Sequence, residues 1–229
     1  MRKPLFFVAA VAGAVLLIAA AVIWSAFGGP ELDPPAEPPT PTDVPPPDFD
    51  LPEGDAASAF ATHTVVTDFA LSPPELEAYL FRDDDPNRFG PVVKAFRETD
   101  QIKKPVEAVY LEGNWPEVGA RRRVRLSDGH YALERVIINE PQERFAYQIW
   151  GYTTKTGNNV SYIIGDQRFK ALPPSPERPD GGCRMTWSYH VRPNAGWKRP
   201  LIQSFVDGNV APFLDGAMER VAADAEAGS

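Results

Sequence analysis

The stretch GARRRVRLSDGHYALERV, residues 119–136, places four arginines within five positions and then reaches Asp128-Gly129. Apolar and charged residues alternate on both sides of that dipeptide, as strands require, and Asp-Gly is a favoured two-residue hairpin turn. Such a turn pairs Ser127 with His130, Arg125 with Ala132, Arg123 with Glu134 and Arg121 with Val136. Those residues then share one face, while Arg122, Val124, Leu126, Tyr131, Leu133 and Arg135 share the other. The Arg123–Glu134 cross-strand pair would contribute roughly 0.2–1 kcal/mol. Its face is either solvated, or turned inward so that Arg123 offers a guanidinium fork to a ligand carboxylate or phosphate.

Similar alternation surrounds the hairpin. Before it, THTVVTDFAL predicts a first strand near 62–70, and VEAVYLEGNW another that leads into the arginines. After it come ERFAYQIWGYTT, NVSYIIGDQRFKAL and GCRMTWSYHVRP, separated by turn-forming Pro, Gly and Asn. Connections this short imply antiparallel neighbours. Between the first two strands, Ser72 as N-cap, Pro73 in the first turn and Glu75 three residues on predict a capped helix. A second short helix is expected near 87–96. At the C-terminal end, apolar residues at 202, 206, 210, 213, 214, 217, 218 and 221 form a helical stripe. Pro212 lacks an amide hydrogen, which predicts a kink near 207–212.

The N-terminal part is of another kind. Arg2 and Lys3 precede an uncharged run, residues 5–27, whose helical length of roughly 34 Å would cross a bilayer core. Residues 1–27 are therefore expected to be a retained single-pass transmembrane anchor rather than a cleaved signal peptide. The flanking charges place the remainder on the periplasmic or extracellular side of the inner or plasma membrane. Residues 28–58 contain ten prolines, eight acids and no Lys or Arg. That composition disfavours helix and sheet and predicts an extended, acidic spacer standing off the membrane.

Charge and side-chain chemistry narrow the function. The net charge of −8 belongs to the spacer, because from residue 59 on 21 basic residues meet 23 acidic ones. No second basic cluster extends the arginine run, so nucleic acid is not an expected partner. Cys183 is the single cysteine, and His63, His130 and His190 are scattered, so neither a metal site nor a cofactor is expected. His130, at the hairpin tip, should be solvated. His190 shares a face with Thr186 and Ser188, and no partner carboxylate marks it as a general base. No catalytic residue is assigned.

The run NWPEVGARRRVRLSDGHYALERV resembles the Trp-x-x-x-Gly-x-x-Arg-x-Val-x-Leu-x-x-Gly pattern of the START/polyketide-cyclase-like (SRPBCC, birch-pollen-allergen-like) superfamily. RFAYQIWGY, MTWSYHV and PFLDGAMERV are similar in type, and the resemblance covers about residues 62–223. It implies an α+β helix-grip fold for residues 59–229. A curved antiparallel sheet of about seven strands would wrap a long C-terminal helix, with two short helices after the first strand. It also implies an apolar cavity between sheet and helix that binds or transports a lipid or other hydrophobic small molecule. Candidate ligand contacts are the hairpin pair Arg123 and Glu134 with Tyr147, Ile149, Tyr162, Trp187, Tyr189 and Phe213; Tyr and Trp join an apolar body to one polar handle, which suits a cavity wall. Two alternatives stay open: a polyketide cyclase- or dehydratase-like enzyme, and a non-catalytic interaction module with a filled core.

Overall fold

A computed structural model describes residues 32–82, 89–176, 178–179 and 181–227. The apolar run 5–27 lies outside the described residues. Among those described, no helix is long and apolar enough to cross a membrane.

Seven strands form one antiparallel sheet: β1 (Ala61–Phe69), β2 (Pro105–Glu112), β3 (Arg121–Leu126), β4 (Tyr131–Glu140), β5 (Arg144–Trp150), β6 (Val160–Leu172) and β7 (Gly182–Pro193). Their order is β1-β7-β6-β5-β4-β3-β2, so only the β1–β7 pairing joins strands remote in sequence. Two short helices, α1 (Pro73–Leu80) and α2 (Pro91–Ala95), fill the connection from β1 to β2. The expected capping box starts α1: the Ser72 amide donates to a Glu75 carboxylate oxygen at 2.8 Å and its hydroxyl to the same oxygen at 2.6 Å.

The C-terminal helix has three parts, α3 (Arg199–Phe205), a π-helical turn (Val206–Val210) and α4 (Ala211–Ala227). The break lies where Pro212 predicted it. Proline cannot supply the next amide, and the turn before it widens so that the Ala211 amide bonds back to the Val206 carbonyl. Leu214, Ala217, Met218 and Val221 of α4 are buried in the main core with Met185 and Trp187 of β7.

The central hairpin differs from expectation by one residue. Gly129 adopts φ +88°, the Gly129 amide bonds to the Leu126 carbonyl, and the Leu126 amide bonds to the His130 carbonyl. The loop is thus three residues, Ser127-Asp128-Gly129, with glycine taking the left-handed position that other residues resist. Arg125 now pairs with Tyr131, Arg123 with Leu133, and Arg122 with Glu134. A one-residue slip regroups the faces of the two strands. Arg122, Val124 and Leu126 join Ala132 and Glu134 on the concave face, and Arg123 goes to the convex face beside Tyr131 and Leu133.

Residues 32–53 of the proline-rich segment are largely extended, as their composition predicts, whereas Gly54–Ala59 form a short 3-10 helix against expectation; the segment is no free spacer. Residues 32–53 form a strap across the convex face. The Trp150 indole donates to the Val44 carbonyl at 2.8 Å, and Gln148 and Arg135 both donate to the Pro47 carbonyl at 3.3 Å. Further along, the Asp50 amide donates to the Tyr162 hydroxyl at 3.1 Å, and Glu53 accepts from Arg144 and Arg168. Phe49 and Leu51 cover the cluster of Phe60, Leu133, Trp150, Tyr162 and Ile164. A segment poor in amide donors pairs little with itself, apart from the Thr40–Val44 turn and the Glu53–Leu51 bond, yet its carbonyls remain good acceptors. The sheet supplies the donors, so the folded unit includes residues before 59.

Candidate functional site

Between the concave sheet face and the C-terminal helix lies a cavity of about 580 Å³. Short side chains on the hairpin, Val124 and Ala132, leave room there, and Phe213 of α4 closes the opposite wall by stacking on Phe96 at 4.4 Å between centroids. The lining also includes Phe89, Val92, Ile149 and Val210. A core of this size would be filled in a module without a ligand, since interiors pack at crystal-like density.

A cluster of charged and phenolic side chains interrupts the apolar wall. Arg122 Nε donates to Glu134 Oε2 at 2.6 Å, and the guanidinium lies over the Trp115 ring, 3.7 Å from its centroid. Each ion therefore has its counter-charge and a packing surface, as burial demands. Tyr147, Tyr152 and Tyr189 complete the group. Burial, first of all, pushes the Tyr147 and Tyr152 phenols well above their ordinary pKa, and the neighbouring Tyr189 and Glu134 add to it. Tyr189 is raised for the same leading reason, with the nearby Glu134 carboxylate adding to it. All three remain neutral phenols at physiological pH.

Two neighbours sharpen the geometry. A Cβ built on Gly165 would stand 2.3 Å from Cζ of Tyr147, so glycine there lets the phenol lie flat across β6. The Trp187 indole N–H is buried without a well-formed hydrogen bond, although the Tyr147 phenol is close enough to feel it. A buried donor without a partner costs about 1–3 kcal/mol, which an acceptor on a bound molecule would relieve.

Six of the eight residues singled out in the sequence line the cavity: Glu134, Tyr147, Ile149, Trp187, Tyr189 and Phe213. Arg123 and Tyr162 do not. Arg123 donates to the Pro39 carbonyl, because the three-residue loop puts it on the convex face. Tyr162 sits under the strap and accepts from Asp50. His130 is buried rather than solvated: its ring nitrogens contact the Thr153 hydroxyl at 2.9 Å and the Leu32 carbonyl at 3.0 Å. His190 lies on the convex side, against Phe60 and 3.0 Å from the Thr62 hydroxyl, and burial lowers its pKa. Among the described residues, no three His, Cys, Asp or Glu side chains gather as metal ligands.

Similarity to solved structures runs through this architecture. Ara h 8.0201 superposes with a TM-score of 0.53 at 16% identity, over 73% of this chain and 99% of the other. Ginseng major latex-like protein 151 from Panax ginseng gives 0.49 at 15% identity, over 72% and 97%. A protein from Rhodobacter sphaeroides gives 0.46 at 17% identity, over 73% and 93%. The fold is the helix grip. No protein-family model and no curated protein sequence matches the chain.

Within this helix grip, sequence reasoning missed Arg122, Trp115, Tyr152 and His130 as parts of the site. A signal for Arg122 existed: Val124 and Leu126 share its parity, and with a three-residue loop that parity meets Ala132 and Glu134. Tyr152 lies two residues past the end of β5, beyond Gly151, where strand alternation no longer says which way a side chain points.

Proposed function

We propose that the protein is a membrane-tethered binding domain that holds a lipid or other hydrophobic small molecule between its sheet and its C-terminal helix. The observation carrying this reading is the largely apolar cavity with its cluster of Arg122, Glu134 and three phenols. Its volume falls in the range of roughly 300–1,000 Å³ typical of small-molecule sites. Arg122 is neutralised by Glu134 and the three phenols are uncharged, which suits an uncharged polar head better than a carboxylate or phosphate. Hydroxyl or carbonyl groups would meet Trp187 Nε1–H and the tyrosine hydroxyls, and the apolar body would lie against Phe213, Ile149 and Val210. The tether rests on the uncharged run 5–27 behind Arg2 and Lys3, which would set the domain on the periplasmic or extracellular side.

The test is native mass spectrometry of the full chain, released gently from the membranes of its expression host. An adduct of roughly several hundred daltons, the size such a cavity takes, is the expected result. A bare protein mass, unchanged after incubation with a total lipid extract, would remove the binding reading.

A further inference from the structure

The strap has two ends, and the earlier one reaches the cavity. Leu32 and Pro34 line it, the Leu32 carbonyl contacts the His130 ring at 3.0 Å, and Pro34 packs on Gly129 at the β3–β4 loop. Strand register puts this loop at the same end of the sheet as the β5–β6 connection, the start of β1 and the end of β7. Lys103, Thr154 and Thr156 line the cavity at that end too. We infer that the cavity opens at this end of the domain and that this end is held against the bilayer, so that ligand passes directly between the membrane and the cavity.

The inference rests on the tether proposed above, and three observations give it direction. First, residues 28–31 alone separate the apolar run from Leu32, so Leu32 can stand no more than about 18 Å from residue 27. Second, the strap is bonded along the convex face at Pro39, Val44, Pro47 and Asp50, so its length is not slack that would let the domain swing away. A free spacer of that composition could have reached several times further. Third, this end exposes Leu32 at 42% and Trp197 at 61%. Trp197 sits in the turn between β7 and α3, with the Lys198 ammonium 5.5 Å from its ring centroid. Exposed Trp beside Lys is the pairing favoured at a membrane–water interface. At the opposite end of the sheet the exposed large apolar side chain is Val118, and among the described residues no exposed aromatic accompanies it.

The thirteen-residue β6 sets the scale of the test, since its far end lies about 40 Å from its start. Single cysteines are placed at Asn158→Cys, beside the mouth, and Glu143→Cys, in the far turn; both side chains are exposed, whereas Cys183 is buried. Each full-length variant is labelled with a fluorophore and reconstituted into vesicles of phosphatidylcholine and phosphatidylglycerol carrying a headgroup-linked quencher. Flotation of the vesicles reports the tether; quenching reports orientation. Asp100→Cys and Glu140→Cys serve as a second pair should either first variant fail to fold. The expected result is that protein floats with the vesicles and the mouth label is quenched several-fold more than the far label. Flotation with equal or reversed quenching would overturn the orientation while leaving the tether intact. Failure to float at high salt would overturn the tether, and this inference with it.

Discussion

Arg122 and Glu134 face each other across β3 and β4 inside the cavity, Nε to Oε2 at 2.6 Å, with side chains only 10% and 11% exposed. Breaking such a pair leaves a buried charge without its counter-charge, which costs about 3–5 kcal/mol. Glu134→Leu is therefore expected to lower the urea midpoint severely. Arg122→Met combined with Glu134→Leu should recover most of that loss, since two apolar residues need no partner. The double variant would also separate folding from binding: it should fold while losing affinity for a ligand whose head contacts the pair. A single variant as stable as the parent would show that water already compensates these charges.

Gly165 and Tyr147 make a second coupled pair. A methyl at position 165 overlaps the phenol ring, so Gly165→Ala is expected to cost about 1–3 kcal/mol, as overpacking does. Tyr147→Leu, which removes the overlapping atoms, should restore part of the stability in combination. Chemical denaturation of the two single variants and the double variant reads this as a non-additive cycle.

The strap is expected to be a structural part of the domain. A chain beginning at residue 59 should be less stable than one beginning at residue 32 by on the order of 4 kcal/mol, from uncovered apolar surface and lost hydrogen bonds. Trp150→Phe, which removes the donor to Val44 and keeps most of the ring, should cost about 1 kcal/mol. Protease resistance of residues 32–53 in the intact chain, against cleavage within them in the Trp150→Phe variant, would report the same contact. Equal stability of the two chain lengths would mean the strap contributes nothing to the fold.

Stability should fall at alkaline pH. Tyr147, Tyr152 and Tyr189 keep their protons in the folded protein to a higher pH than in the unfolded chain, because burial raises their pKa values. Above pH about 10 the unfolded chain releases those protons first, so each phenol removes about 1.4 kcal/mol of stability per pH unit. Absorbance at 295 nm, followed together with circular dichroism, should show these three ionising only as the fold is lost. At the acid side, burial holds His190 below its ordinary value, so its contribution is complete above about pH 6.5 and lost as pH falls through the folded value. His190→Asn should weaken that acid dependence.

Local chemistry made much of the architecture legible from the chain. Alternation located the strands, Ser72 and Glu75 marked the start of α1, and Pro212 marked the break in the last helix, because each effect acts within a few residues. Glu134, Tyr147, Trp187 and Phe213 could be singled out on side-chain type alone. The register of β3 against β4 could not. It depends on whether Gly129 closes a two- or a three-residue loop, two conformations close in local energy that packing of Val124 and Ala132 separates.

Residues 32–53 carry the same lesson further. Their composition dictates an extended chain without helix or sheet, since prolines lack amides and acids repel one another, and that much holds in isolation. Where the chain lies is another matter: the donors that bind its carbonyls, Arg123, Arg135, Gln148 and Trp150, are 84 to 106 residues away in sequence and share a face only after the sheet has formed. Short-range sterics and hydrogen-bonding capacity are written residue by residue. Which distant donor meets which acceptor, and therefore that Leu32 ends against the cavity, follows from long-range packing that no single segment encodes.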